Sequence, residues 1–141
     1  MGRILAIDYG QKRVGLAATD ELRIVANGIA TVHVSELFEW LQAYLASESV
    51  DLIVIGEPRD MHNKPSDASR FINPFVNRLK KTWPQIPVAR YDERFTSVLA
   101  HRTMLEAGLK KKDRQNKELV DKISAVILLQ SYMESVQFKN L

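Results

Sequence analysis

The sequence contains no cysteine among its 141 residues. Disulfide bonds, thiolate metal sites and cysteine nucleophiles are therefore excluded. The three histidines share no spacing typical of metal ligands, and we interpret them as surface or packing residues. No apolar run approaches the ~20 residues of a membrane-spanning helix, and no segment resembles a secretory signal. We therefore expect a cytoplasmic protein that does not contact a membrane.

Charge and composition permit a nucleic-acid partner without requiring one. Hydrophobic residues make up 45% of the chain, and 20 Lys and Arg against 17 Asp and Glu give a net charge of +3. This balance is ordinary for a globular protein and mildly basic. Because no repeat, low-complexity tract or linker is visible, we expect a single domain over residues 1–141, with a frayed tail from about 135.

Short apolar runs, typical of buried strands, alternate along the chain with segments whose apolar residues recur at helical spacing. Strands are predicted at 4–8, 13–19, 24–32, 52–55 and 88–91, and helices at 35–47, 67–83, 97–108 and 117–134. Caps are predicted at Ser35 and Asn116, a bulge at Asn27 and Gly28, and a polar loop over 57–66. Pro74 either kinks the second helix or lies in its first turn.

The order of these elements predicts an α/β fold. Three consecutive strands favour an antiparallel meander, and the later strand–helix alternation requires parallel pairing through crossover helices. The expected architecture is one mixed five-stranded sheet with helices on both faces, which is the RNase H-like arrangement.

Carboxylates follow three of the predicted strands. Asp8 ends the first strand, Glu57 follows the fourth, and Asp92 and Glu93 follow the fifth. Asp121 lies in the first turns of the last predicted helix. Ligands of open α/β sheets bind beyond the carboxyl ends of parallel strands. We therefore expect these acids to meet at one edge of the sheet.

Converging carboxylates repel one another unless a counter-charge is present. Two Mg²⁺ or Mn²⁺ ions ~4 Å apart would relieve that repulsion and align a phosphodiester for in-line attack by water. This chemistry needs no serine, cysteine or histidine nucleophile. It predicts a nuclease whose products carry 5′-phosphate and 3′-hydroxyl ends.

Each of these acids also has a purely structural interpretation. Asp8 could cap its loop as an Asx-turn, and Asp121 could be a first-turn acid favoured by the helix dipole. Adjacent strand residues face opposite ways, so only one of Asp92 and Glu93 can face Asp8. Glu57 is either a spare carboxylate near the metals or a solvated loop residue, and we favour the loop interpretation.

Glycine and basic residues near these acids are candidates for phosphate or nucleic-acid contacts. A bare glycine lets a phosphate approach the backbone, and a basic run can bind nucleic acid without sequence preference. The alternatives are an ion pair for the arginine that follows Glu93, and simple solvation for the basic run. The candidates are Gly10, Lys12, Arg13, Arg94, Lys110, Lys111, Lys112 and Arg114.

Three segments carry distinctive motifs: DYG at 8–10 followed by KRVGLA at 12–17, DERFTS at 92–97, and VDKISAVILLQ at 120–130. In this order, and across nearly the whole chain, they resemble the motifs of the YqgF family, also called RuvX, of Holliday-junction-resolvase-like nucleases. The resemblance implies an RNase H-like fold and a bacterial cytoplasmic location. It also implies that Asp8, Glu93 and Asp121 are the catalytic and metal-binding residues.

By the same resemblance, the expected activity is processing of the 5′ end of precursor 16S ribosomal RNA, with a pre-ribosomal particle as a partner. Holliday-junction resolution is the older inference for the family. One segment departs from the pattern, because Gly56-Glu57-Pro58 stands where the family usually has Gly-Leu-Pro.

Two other functions compete with a nuclease. An actin-like or Hsp70-like ATPase also opens with a strand, Asp-x-Gly and a hairpin, but that fold needs two such domains. A non-catalytic module would bind nucleic acid without metal, and its binding would be unaffected by Asp8→Asn. The sequence does not decide whether the substrate is structured RNA or branched DNA, or whether the metal is Mg²⁺ or Mn²⁺. It also leaves the oligomeric state open.

Overall fold

The computed structural model describes residues 2–57, 69–92 and 116–139. Within these residues five strands form one sheet, in the order β3-β2-β1-β4-β5. The strands are β1 (Arg3–Tyr9), β2 (Arg13–Thr19), β3 (Ala26–His33), β4 (Val50–Glu57) and β5 (Val88–Asp92). The β1–β2 and β2–β3 pairs are antiparallel, and β4 is parallel to both β1 and β5. The predicted mixed five-stranded sheet is confirmed.

Helices cover both faces of this sheet, as predicted. The helices within the described residues are α1 (Leu37–Ser47), α2 (Ser69–Thr82) and α3 (Lys117–Lys139), and a 3₁₀ turn over Val34–Glu36 precedes α1. Residues of α1 and α2 form a core with one face of the sheet. Residues of α3 form a second core with the other face. None of these helices is long and apolar enough to cross a lipid bilayer.

The first strand is buried on both sides, which explains its unbroken apolar run. Leu5 and Ile7 pack in the core with α1 and α2, whereas Ile4 and Ala6 pack in the core with α3. Because side chains alternate along a strand, the next residue of the Ile4 and Ala6 series is Asp8. The strand therefore directs Asp8 to the face that α3 covers.

Local hydrogen bonds shift the ends of two helices from the predicted positions. Ser35 was predicted to cap α1, but it lies in the 3₁₀ turn and donates its backbone N–H to Nδ1 of His33. Helix α1 consequently begins at Leu37, without a side-chain cap. Helix α3 runs to Lys139, past the predicted end near 134, so residues 136–139 of the expected frayed tail are helical.

Other local predictions agree with the structure. The β2–β3 register shifts between Leu16 and Ala17, which face Ala30 and Gly28, so β3 carries its bulge beside the predicted position. Pro74 lies inside α2, five residues after Ser69, and not in its first turn. The predicted helix at 97–108 and the loop residues 58–66 lie outside the described residues.

Candidate active site

Asp8 and Gly15 lie directly opposite each other on β1 and β2. Opposed residues of an antiparallel pair place their side chains on the same face of a sheet. On these two strands that face is the one covered by α3, because Ala6 and Ala17 belong to the core that α3 completes. The position of Gly15 is therefore the nearest point on β2 to the Asp8 side chain.

Helix α3 packs closely on the sheet at Gly15. A Cβ atom built on Gly15 would overlap the backbone carbonyl oxygen of Asp121 and would lie 3.4 Å from the Cβ of Ala125. Only a residue without a side chain leaves room for this approach. The contact brings the backbone of Asp121 against the residue that pairs with Asp8. The fold thus places the residue that carries one predicted carboxylate, Asp121, next to the strand pair that carries the other, Asp8.

Two hydrogen bonds fix the start of α3. Asn116 accepts the backbone N–H of Leu119 on its side-chain oxygen at 3.2 Å, which confirms the predicted N-cap. The Thr31 hydroxyl of β3 donates to the Glu118 carbonyl at 2.6 Å. Asp121 therefore stands on a turn that is anchored both within the helix and to the sheet.

Arg13 pairs with Asp121 across the same face. Its Nε lies 2.7 Å from Oδ2 of Asp121, and the two side chains are 34% and 27% exposed. An arginine Nε–H bound to a carboxylate is a charge-assisted hydrogen bond, which also fixes the orientation of the carboxylate. The sequence predicted a phosphate contact for Arg13. In the structure, its guanidinium supplies a positive charge beside the carboxylates.

The other predicted contact residues in the hairpin are also placed. Gly10 donates its N–H to the Arg13 carbonyl at 3.0 Å, and this bond closes the turn between β1 and β2. Lys12 is exposed at the tip, and its carbonyl accepts the Val34 N–H at 2.9 Å. The amide of Gly10 is therefore committed to the hairpin, whereas the Lys12 side chain remains accessible to solvent.

The two acids at the ends of β4 and β5 belong to the strands themselves. Glu57 is the last residue of β4 and pairs in register with Asp92, the last residue of β5. The expectation that Glu57 begins the loop is wrong, because the parallel ladder continues through it. Asp92 alternates with Tyr91, which packs in the α3 core, so Asp92 faces away from α3.

The remaining predicted residues lie outside the described part of the chain. This applies to Glu93, the third carboxylate of the predicted set, and to Arg94, Lys110, Lys111, Lys112 and Arg114. Among the described residues, no group of three or more His, Cys, Asp and Glu residues is arranged to hold a metal ion. Asp8 and Asp121 are carboxylates, the ligand type that a hard divalent cation prefers, and they remain predicted ligands.

Gly15 is the functional position whose role the sequence did not reveal. A glycine inside an otherwise apolar strand signals close approach of another backbone, and this was the available clue. The identity of the approaching segment is not encoded locally, because Gly15 and Asp121 are far apart in the sequence.

Comparison with known proteins gives consistent matches over nearly the whole chain. A family model described as RuvX, Holliday junction resolvase, matches residues 2–135. A relative from Parabacteroides distasonis is 58% identical, with 99% of each chain covered. A relative from Bacteroides thetaiotaomicron is 59% identical, covering 98% of this chain and 100% of the relative. Both relatives are named as candidate pre-16S rRNA nucleases.

Two solved structures share the fold. RuvC of T. thermophilus, in complex with a Holliday junction substrate, matches with a TM-score of 0.52 at 14% identity, covering 94% of this chain and 96% of that one. The resolvase of Fowlpox virus, in complex with Holliday junction DNA, matches with a TM-score of 0.54 at 16% identity, covering 95% and 98%. At these identities the likeness establishes the RNase H-like fold.

Proposed function

The chain belongs to the RuvX family of Holliday junction resolvases and is a nuclease, and from this premise we propose that it is a divalent-metal-dependent endonuclease that processes the 5′ end of pre-16S rRNA. A cytoplasmic location is part of the proposal, since a ribosomal RNA precursor is made in the bacterial cytoplasm.

The juxtaposition of Asp8 and Asp121 carries this proposal. Asp8 pairs with Gly15, and the backbone of Asp121 packs on the same glycine. Two like charges held together on one sheet face are costly unless a cation offsets them. Arg13 offsets the charge of Asp121. We propose that a divalent cation offsets the charge that remains.

Each residue of the proposed site has a separate task. Asp8 and Asp121 hold the cations, and Glu93 is proposed as the third carboxylate. Arg13 orients the Asp121 carboxylate through its 2.7 Å contact. When bound, two divalent cations supply activation of water and stabilisation of the leaving oxygen. The protein supplies the rigid sheet edge that fixes the carboxylates relative to the scissile phosphate.

The substrate is argued from the relatives. Proteins 58% and 59% identical to this chain are named for pre-16S rRNA, and this favours ribosomal RNA as the substrate. The family description names Holliday junction resolution instead, so cleavage of branched DNA is the second candidate function. Both reactions hydrolyse a phosphodiester bond and use the same carboxylates.

The test compares cleavage of two labelled substrates in Mg²⁺ or Mn²⁺: a ribosomal RNA precursor with its 5′ leader, and a four-way DNA junction. We expect metal-dependent cleavage of the precursor that is lost in Asp8→Asn, Glu93→Gln and Asp121→Asn. The matched control is Glu118→Gln, because Glu118 is an exposed acid of the same helix turn. This variant should cleave the precursor at the normal rate.

The outcomes separate the candidate functions. Cleavage of the junction alone would favour resolution of branched DNA over rRNA processing. Binding of either substrate that needs no metal, survives Asp8→Asn and is never followed by cleavage would contradict the nuclease and favour a non-catalytic binding module. An assembled pre-ribosomal particle serves as a third substrate, in case naked RNA lacks the required structure.

A further inference from the structure

An aromatic groove lies on the face of the sheet opposite to the candidate active site. It is a cavity of about 230 Å³ between the end of β1, α1 and α2. We define it by the residues that line it and carry the argument: Tyr9, Phe38, Phe71, Phe75 and Arg78. Pockets for drug-sized ligands measure ~300–1,000 Å³. The smaller volume of this groove suits a single planar ring system.

The rings of the groove form an ordered stack. Tyr9 stacks on Phe75 with centroids 4.6 Å apart and an interplanar angle of 20°. Phe38 meets Phe75 edge to face at 5.6 Å, and the guanidinium carbon of Arg78 lies 3.8 Å above the Phe38 ring. Phe71 is 49% exposed at the rim. Phe75 is buried, so the accessible aromatic ring of the groove is Phe71, and the groove also contains the cation of Arg78.

Helix α2 contributes positive charge to one side of this groove. Between Ser69 and Thr82 it contains four basic residues and no acidic residue. The basic residues are all exposed; they are Arg70, Arg78, Lys80 and Lys81. Ordinary surface helices mix both signs of charge. A helix of one charge sign next to an exposed aromatic ring is complementary to a polyanion that carries planar groups.

The groove and the candidate active site lie on opposite faces of the sheet, at the same end of β1. Tyr9 follows Asp8 directly, and adjacent residues of a strand face opposite sides. A nucleic-acid strand that presents a phosphate to Asp8 therefore has to pass around the turn that follows β1 to bring a flanking base to Tyr9.

We propose that the aromatic groove holds a nucleobase of a single-stranded segment that flanks the cleaved bond, with the sugar–phosphate backbone running along α2. The proposal rests on the proposed nuclease function and adds the part of the substrate that the groove recognises. Stacking on aromatic rings inside a basic groove is how single strands are bound without sequence preference. Every nucleobase has a π-face, so RNA and DNA single strands share this chemistry.

The experiment measures equilibrium binding of two labelled oligoribonucleotides by fluorescence anisotropy. One is an oligouridine, and the other has the same backbone and length but is abasic. The protein is the Asp8→Asn variant in buffer without divalent metal, so that the probe is not cut. Phe71→Ala in this background should weaken oligouridine binding by ~10-fold and leave the abasic probe unchanged.

Three further variants sharpen the result. Phe71→Tyr keeps the ring and should bind like the parent, whereas Phe71→Leu keeps apolar bulk without a ring and should behave like the alanine variant. Leu22→Ala is the matched control, because Leu22 is an apolar side chain 66% exposed at a distant turn. This variant should bind both probes as tightly as the parent does. A thermal midpoint for each variant confirms that it is folded.

Equal binding of the two probes by the parent protein would overturn the proposal. A loss in Phe71→Ala no larger than in Leu22→Ala would also overturn it. Self-association that disappears in Phe71→Ala without any change in oligouridine binding would assign the groove to a protein contact instead. Base-dependent binding without any cleavage would contradict the proposed nuclease function but not the role of the groove. Cleavage without base-dependent binding would contradict the role of the groove but not the nuclease function.

Discussion

Replacing Gly15 by alanine tests the contact that joins the two halves of the site. The new methyl group would overlap the backbone carbonyl oxygen of Asp121. A backbone atom in the anchored first turns of a helix cannot rotate away as a side chain can. Helix α3 must therefore move off β2, and Asp121 must move away from Asp8 with it.

The expected effects on stability and activity differ in size. Inserting a methyl group into a packed interface costs ~1–3 kcal/mol of unfolding free energy, which for a chain of this length lowers the thermal midpoint by ~3–10 °C. Displacing a catalytic group by ~1 Å can cost ~100-fold in rate. We therefore expect Gly15→Ala to remain folded at 25 °C and to lose at least ~100-fold in cleavage rate.

Gly28→Ala provides a matched control. Gly28 lies on the neighbouring strand β3 and also faces α3, but its new Cβ would meet the Cγ of Lys122 at 2.7 Å. That atom belongs to a side chain, so rotation about the Cα–Cβ bond of Lys122 can relieve the overlap without moving the helix backbone. Alanine also restricts the unfolded chain, with a gain of ~0.4–1 kcal/mol. We expect Gly28→Ala to change stability by less than ~1 kcal/mol and to retain activity.

Urea unfolding and initial cleavage rates of both variants, measured together, decide the question. If Gly15→Ala matched Gly28→Ala in both measurements, close packing of α3 on β2 would not be what positions Asp121. If Gly15→Ala lost stability but kept its full rate, Asp121 would not need this position for catalysis.

Three smaller predictions concern single contacts. Arg13→Gln removes a half-exposed ion pair and should cost ~1 kcal/mol at low salt; urea unfolding at two salt concentrations should show this difference shrink as salt rises. Thr19→Val removes the buried hydroxyl that accepts the Ile4 N–H at 3.0 Å and should cost ~1–3 kcal/mol by chemical denaturation, whereas Thr19→Ser should be nearly neutral. Hydrogen bonding by the Val25 N–H lowers the pKa of Asp20. The ionised Asp20 should therefore stabilise the turn fully above the ordinary carboxyl pKa, and this stabilisation should be lost as pH falls through the lowered pKa. An NMR pH titration, compared with Asp20→Asn, would detect the loss.

Local patterns alone fixed much of the fold. The apolar run at 4–7 predicted a strand buried on both faces. Side chains alternate between the two faces of a strand, and a polar side chain on a buried face would be costly. Asn116 predicted the start of α3, because an asparagine side chain satisfies a free N–H at a helix end. The order of strands and helices then allowed few topologies. The family motifs supplied the candidate carboxylates.

The sequence was less informative where short-range hydrogen bonds compete. His33, and not Ser35, accepts the first free N–H before α1. The ladder between β4 and β5 extends two residues beyond the predicted end of β4 and includes Glu57. Helix ends depend on such small differences in energy, so a propensity pattern places them only approximately.

Tertiary structure alone decided how the site is assembled. The 2.7 Å pair between Arg13 and Asp121 joins residues 108 positions apart, and the stacking of Tyr9 on Phe75 joins β1 to α2. Periodicity reports which face of an element is apolar, but it does not report which partner covers that face. The sequence therefore determined that a carboxylate ends the first strand. The packing of α3 on Gly15 decided how closely the backbone of Asp121 approaches the residue that pairs with Asp8.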